Sequence, residues 1–240
     1  MRLLRWASIV RRVYDTGWSD RDTLSAFLTY RRRRGDVHWV SSLVAVLRDA
    51  RGTTGRYLVS GRVNVKRQQR AGCWLGALGY MVMLDQIGEC FRPADADSPS
   101  AGTPDFIKAL TYFADEVRDP ERQALYALRC CFAHDYSLVN IPAGRGALDR
   151  QRLHHFLLDA EETGPLVTLP GTPWDGNLAR RPRYTATRVN LRSLGDLGEA
   201  VYTRLRHLHE NQELRIALPG GAAELRARYA FTVYPRVGEP

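Results

Sequence analysis

The sequence predicts a mainly α-helical protein: a helical bundle with an N-terminal helical extension and a small β excursion after residue 150. Three observations carry that expectation. Apolar residues recur at helical spacing through most of the first 140 positions. The second half of segment 64–91 is apolar almost all round, as a helix central to a packed bundle must be. Beyond residue 150 the texture changes to short β-prone runs cut by Gly, Pro and Asp. With 240 residues, 44% of them hydrophobic and 10% aromatic, the chain can bury a sizeable core.

Taken in order, Leu3, Leu4, Trp6, Ile9, Val10 and Val13 give a short amphipathic face at the start. A turn at "DTGWSD" leads to a helix near 20–32, with Asp20 as its N-cap and Leu24, Phe27 and Leu28 inward. A third helix is expected from Asp36 to about Ala50, with Val37, Val40, Val44 and Leu47 spaced for burial. "RGTTGRYLVSGR" reads as a linker or short strand. The long apolar helix of 64–91 follows, then the loop "RPADADSPSAGTP". Thr103 is the expected N-cap of the next helix, with Pro104 at its first position, and Asp119-Pro120 opens another that ends before Pro142. "LHHFLLDA", "GPLVTLP" and "YTATRVNL" read as strands of a small sheet. Leu194, Leu197, Val201, Leu205 and Leu208 restore helical periodicity, and "YAFTVYP" is a possible last strand. The expected organisation is a basic helical region at 1–62, a helical domain at 63–212 with a β insertion at about 153–191, and a C-terminal tail at 213–240.

The formal charge of +9 is unevenly placed. Residues 1–70 hold 15 Arg and one Lys against five Asp, a net of +11, and the rest of the chain nets −2. Such a block attracts polyanions, so Arg31, Arg32, Arg33 and Arg34 of "YRRRRGD" are candidate contacts to nucleic-acid phosphates. The competing reading is a solvated Arg-rich surface in a chain with 33 Arg and only two Lys, which explains Arg over Lys but not the asymmetry. Cys73, Cys90, Cys130 and Cys131 show no CxxC and no metal-type spacing, so neither a structural metal nor a cofactor is expected. No apolar run is long enough to span a bilayer and no secretion signal is recognisable, so a cytoplasmic location is expected.

One stretch, "LYALRCCFAHDYSLVN" at 125–140, sets polar groups into a run that otherwise reads as buried. Arg129 and His134 are spaced R-x4-H, a pattern that also fits Arg33 with His38, Arg150 with His155 and Arg204 with His209, the last on charged turns expected to face solvent. Only the 129–134 pair lies on a mainly apolar helix, and only it is followed by a tyrosine, Tyr136. Burying a guanidinium there without a partner is costly. Either Arg129 pairs with an acid such as Asp85 or Glu89, or the pair faces a cleft or a second subunit. Positions five apart differ by about 140° around a helix, so Arg129 needs its long stem to share a ligand with His134.

R-x4-H-x-Y on a late helix of a bundle resembles the motif of the HEPN superfamily. It is most similar to the form in HEPN toxins paired with nucleotidyltransferase antitoxins, and R-x4–6-H also marks HEPN ribonucleases of CRISPR and other defence systems. The resemblance covers roughly residues 65–140, with the helix at 194–211 a possible last member of the bundle. Cys130 stands where the family often has a polar residue, commonly Asn. The resemblance implies metal-independent cleavage of RNA at a composite site of a homodimer. It makes His134 the general acid or base for attack by the ribose 2′-OH. Arg129 would hold the scissile phosphate. Tyr136 would bond the phosphate or be a target of inhibitory nucleotidylation, and Asp135 would orient His134 or compete as a base. An antitoxin or regulatory protein is an expected partner. The alternative is a catalytically silent helical module that dimerises or binds nucleic acid through the basic N-terminal third.

Overall fold

The structure, a computed structural model, describes residues 19–29, 32–34, 37–68, 73–97, 100–141, 153–160, 164–229 and 232–235. The amphipathic segment expected at 3–13 lies outside them, as does Arg31. Among the described residues helices dominate, and three small sheets are set between them.

Helix α1 (Asp20–Leu28) is capped by Ser19 rather than by Asp20. The Ser19 hydroxyl accepts the Asp22 N–H at 3.1 Å, and the Asp22 carboxylate receives the Ser19 N–H at 3.4 Å. The helices expected across 20–32 and from Asp36 are both shortened by strands β1 (Arg32–Arg34) and β2 (Val37–Val40). Val37, Trp39 and Val40 fit a strand as well as a helix over so short a run. What decides is distant: β2 pairs antiparallel with β9 (Thr232–Pro235) at the other end of the chain. Helix α2 (Ser42–Thr53) therefore starts later than expected. Ser41 caps it by accepting the Val44 N–H at 3.1 Å, and its own hydroxyl donates to the Phe27 carbonyl at 2.5 Å, tying α1 to α2.

Helices α3 (Val65–Gln68) and α4 (Cys73–Cys90) occupy the region read as one long helix, and strand β3 (Phe91–Pro93) follows. Helix α5 (Asp105–Phe113) begins after Pro104 without a side-chain cap. The Thr103 hydroxyl donates to the Ser100 carbonyl instead, at 2.9 Å, so its expected capping role is corrected. Helix α6 (Asp119–Asp135) has proline in its first turn, as Asp119-Pro120 predicts. Strands β4 (Val139–Asn140), β5 (His154–Asp159), β6 (Val167–Thr168) and β7 (Thr187–Asn190) form a sheet of order β4-β5-β7-β6. The β5–β7 pair is parallel and the other two pairs are antiparallel. Helix α7 (Leu191–Glu210) is capped by Asn190, whose side-chain oxygen accepts from Arg192 and Ser193 N–H at 2.9 and 3.0 Å. Strand β8 (Leu214–Ile216) pairs with β3, and α8 (Gly221–Arg228) precedes β9.

The centre of the molecule is α4, packed against α2, α5 and α7. Its partners approach closely where a side chain is missing: a Cβ on Gly88 would lie 1.8 Å from the Asp105 carbonyl oxygen of α5. The five apolar positions predicted for α7 are all buried. One core cluster runs from Leu24 to Leu225 and draws on residues before 62, between 63 and 212, and after 213. A buried polar clasp holds the 54–64 loop to α7. Arg51 donates to both oxygens of Glu199, from Nε at 2.8 Å and Nη2 at 2.6 Å, and Tyr80 OH donates to the same carboxylate at 2.7 Å. Arg56 pairs with Asp196 at 2.6 Å. Among the described residues no helix is long and apolar enough to cross a membrane.

Candidate functional site

The candidate motif sits on the last two turns of α6. Its sequence explains the setting: Leu125, Ala127, Leu128, Cys131 and Phe132 are buried, so the side chains between them lie along the helix margin. Arg129 reaches across to α4 and donates from Nε to Asp85 Oδ2 at 2.6 Å. Both side chains are about a quarter exposed, at 25% and 22%. Burial acts against the Arg129 charge, but the hydrogen bond and charge of Asp85 outweigh it and hold the guanidinium above its ordinary value. Burial pushes the Asp85 carboxyl up, against the pull of Arg129. The short contact is that of a charged pair.

The other end of the guanidinium meets His134. Arg129 Nη1 lies 3.3 Å from His134 Nε2. Because a guanidinium can only donate, Nε2 is the acceptor in this contact. The arginine stem closes the 140° between the two positions while the helix continues to Asp135. His134 is exposed to solvent. Of the two acids named as partners for Arg129, Asp85 takes the role, while Glu89 receives hydrogen bonds from Arg228 and Tyr229.

Tyr136 ends the helix in a left-handed conformation, φ 52° and ψ 36°, with its N–H bonded back to the Phe132 carbonyl at 3.1 Å. Glycine is the usual occupant of such a position, since a Cβ costs about 1 kcal/mol there. The Tyr136 ring stacks on buried Phe132 with centroids 4.5 Å apart and planes 21° apart. Trp74, from the first turn of α4, tilts against both, 6.0 Å from Phe132 and 6.3 Å from Tyr136. Tyr136 is 50% exposed and Trp74 39%. Trp74 was not singled out by the sequence, because a contact with a residue sixty positions away leaves no local signal.

Asp135 is exposed beside His134, and no hydrogen bond among the described residues joins them; adjacent helix positions do not face each other. Cys130 is a half-buried free thiol next to Arg129. Arg32, Arg33 and Arg34 lie on β1, paired with Trp39, His38 and Val37 of β2. The Arg33–His38 match is thus a cross-strand pair. His155 of the second match is buried, with Nε2 2.9 Å from the Thr185 hydroxyl. His209 of the third, expected to be solvated, is half-buried and 2.9 Å from Ser25 Oγ.

Among the described residues no three His, Cys, Asp or Glu side chains converge as a metal would require. A cavity of about 710 Å³ is lined by Tyr112, Asp115, Glu116, Arg204 and Glu213 among others and by none of the motif residues. Its carboxylates are unsuited to phosphate. A scan against protein-family models finds no matching family, and searches of curated proteins and of solved structures find no similar protein.

Proposed function

We propose that the chain is a metal-independent endoribonuclease of the HEPN type, a toxin or defence effector acting in the cytoplasm as a homodimer. The observation that supports this reading is the Asp85–Arg129–His134 chain of contacts, which ends at exposed His134, with exposed Tyr136 on the same helix end. In the proposed reaction Arg129 Nη1 passes from His134 Nε2 to the phosphate, and the freed Nε2 removes the proton of a ribose 2′-OH, whose oxygen attacks the adjacent phosphorus. The P–O5′ bond breaks, a second imidazole protonates the departing O5′, and a 2′,3′-cyclic phosphate and a free 5′-OH result. Each protomer has one such histidine, so base and acid come from the two copies of His134. Arg129 is tied to Asp85 through Nε and turns its Nη edge outward, which suits the charge that grows on the phosphoryl oxygens.

The second reading, a silent helical module for dimerisation or nucleic-acid binding, draws on the same ion pair, since a guanidinium neutralised by Asp85 needs no ligand. The two are separated by incubating labelled RNA with wild type, His134→Ala and Arg129→Ala. The ribonuclease reading expects at least a hundredfold loss of cleavage in each variant, with unchanged melting temperature for His134→Ala. Equal cleavage in all three proteins rejects it.

A further inference from the structure

The region just before the candidate site has an unusual make-up. No acid occurs between Asp49 and Asp85, whereas Arg51, Arg56, Arg62, Lys66, Arg67 and Arg70 do. Arg51 and Arg56 are spent inside the fold on Glu199 and Asp196. Arg62, Lys66 and Arg67 are exposed, interleaved with exposed Val59, Val63 and Val65.

This loop is held at the end of the molecule where α4 begins. A Cβ on Gly55 would lie 2.5 Å from the Gln68 backbone nitrogen, and one on Gly76 would lie 2.2 Å from the Thr54 methyl. The end of α2, the loop and the first turns of α4 are therefore in contact. Trp74 stands in that first turn, against Tyr136. The aromatic stack thus starts at buried Phe132 and ends in solvent: Tyr136 lies flat on Phe132, and half of its surface is open. An open aromatic face, with exposed cations on the acid-free stretch that runs up to Trp74, is the make-up of a surface for single-stranded nucleic acid, and exposed Asp135 next to Tyr136 marks its acidic edge.

We propose that Trp74 and Tyr136 form a stacking platform for an unpaired base next to the scissile phosphate, with Arg62, Lys66 and Arg67 holding the phosphates that follow. This rests on the ribonuclease reading for its substrate, and it makes that substrate single-stranded at the site. A duplex cannot offer a base face to Tyr136 without unstacking it. The same mixture of apolar and basic side chains also occurs on membrane-binding surfaces. Here, however, the two rings adjoin the Arg129–His134 pair, whose proposed chemistry is on a phosphodiester, and that favours RNA.

The test uses full-length His134→Ala protein, so that binding is read without cleavage, and a labelled unstructured RNA of about a dozen nucleotides. Adding Trp74→Ala is expected to weaken binding about tenfold, Trp74→Phe to leave it within about threefold, and a strand of abasic sites to bind equally to all three proteins. Lys66→Ala with Arg67→Ala should reduce the slope of log affinity against log salt by about 1.4. This double variant keeps the proposal testable should Trp74→Ala misfold. Unchanged affinity in Trp74→Ala overturns the platform. So does equal binding to the same RNA annealed to its complement, or Trp74-dependent binding to vesicles of equal phosphatidylserine and phosphatidylcholine with RNA affinity unaffected. Because binding is measured in the His134→Ala background, failure of the platform and failure of catalysis give different results.

Discussion

Residues in this molecule are defined by how their polar ends are satisfied. Arg129 is held at one end by a carboxylate and at the other by an imidazole, so its position is set before any ligand arrives. Tyr136 accepts a backbone conformation that favours glycine, and the stack on Phe132 is what offsets it. Of the paired histidines on β5, His154 has Nδ1 2.9 Å from the Thr187 hydroxyl and stacks on Phe156. Burial lowers its pKa to about 4. In the unfolded chain a histidine titrates near 6.5, so above that pH both states are neutral and this site leaves stability intact. As pH falls from about 6.5 towards 4 the unfolded chain takes up a proton that the native ring refuses, and stability is lost. The expected loss by pH 4 is about 3 kcal/mol, from the fall in the pKa from 6.5 to about 4. Urea unfolding of wild type and His154→Gln at pH 7, 5.5 and 4.5 measures it. Parallel declines in the two proteins would assign the acid sensitivity elsewhere.

At the level of elements, α4 shows how packing overrules propensity. Gly88 sits inside a helix, where alanine is intrinsically better by about 1 kcal/mol. The Asp105 carbonyl lies where the alanine methyl would go, and backbone cannot move aside as a flexible side chain can. Gly88→Ala is therefore expected to destabilise by about 2–4 kcal/mol through separation of α4 from α5. A urea midpoint equal to or above wild type would mean that propensity wins. Elements whose partners are implied by their own periodicity were legible in the sequence: the buried face of α7, the apolar α4, and α6 opening at Asp119-Pro120. The strands β1 and β2 were not, because β2 is completed by β9 from the opposite end of the chain. The candidate site divides the same way. Arg129, His134 and Tyr136 share one short motif, and Asp85 was foreseeable as a nearby acid on the central helix. Trp74 depends on how α4 crosses the end of α6, and the acid-free stretch around it was its sole trace in the sequence.

Across the whole molecule the charge asymmetry of the chain is partly cancelled by folding. Two cations of the basic N-terminal third, Arg51 and Arg56, are neutralised by Glu199 and Asp196 of α7, so composition overstates how basic that region's surface is. The same closure brings in the C-terminal segment. Leu214, Leu218 and Leu225 are buried, β8 pairs with β3, and β9 pairs with β2. Burying three leucines is worth about 1.5–3 kcal/mol each, together of the order of the 5–15 kcal/mol by which a domain is stable at all. A chain stopped after Gln212 is therefore expected to lose cooperative thermal unfolding, while Leu225→Ala in the full chain should cost about 2–4 kcal/mol. Calorimetry on both proteins decides the matter. A 1–212 fragment melting cooperatively within a few degrees of the full chain would show that residues 213–240 rest on the core as an appendage and do not complete it.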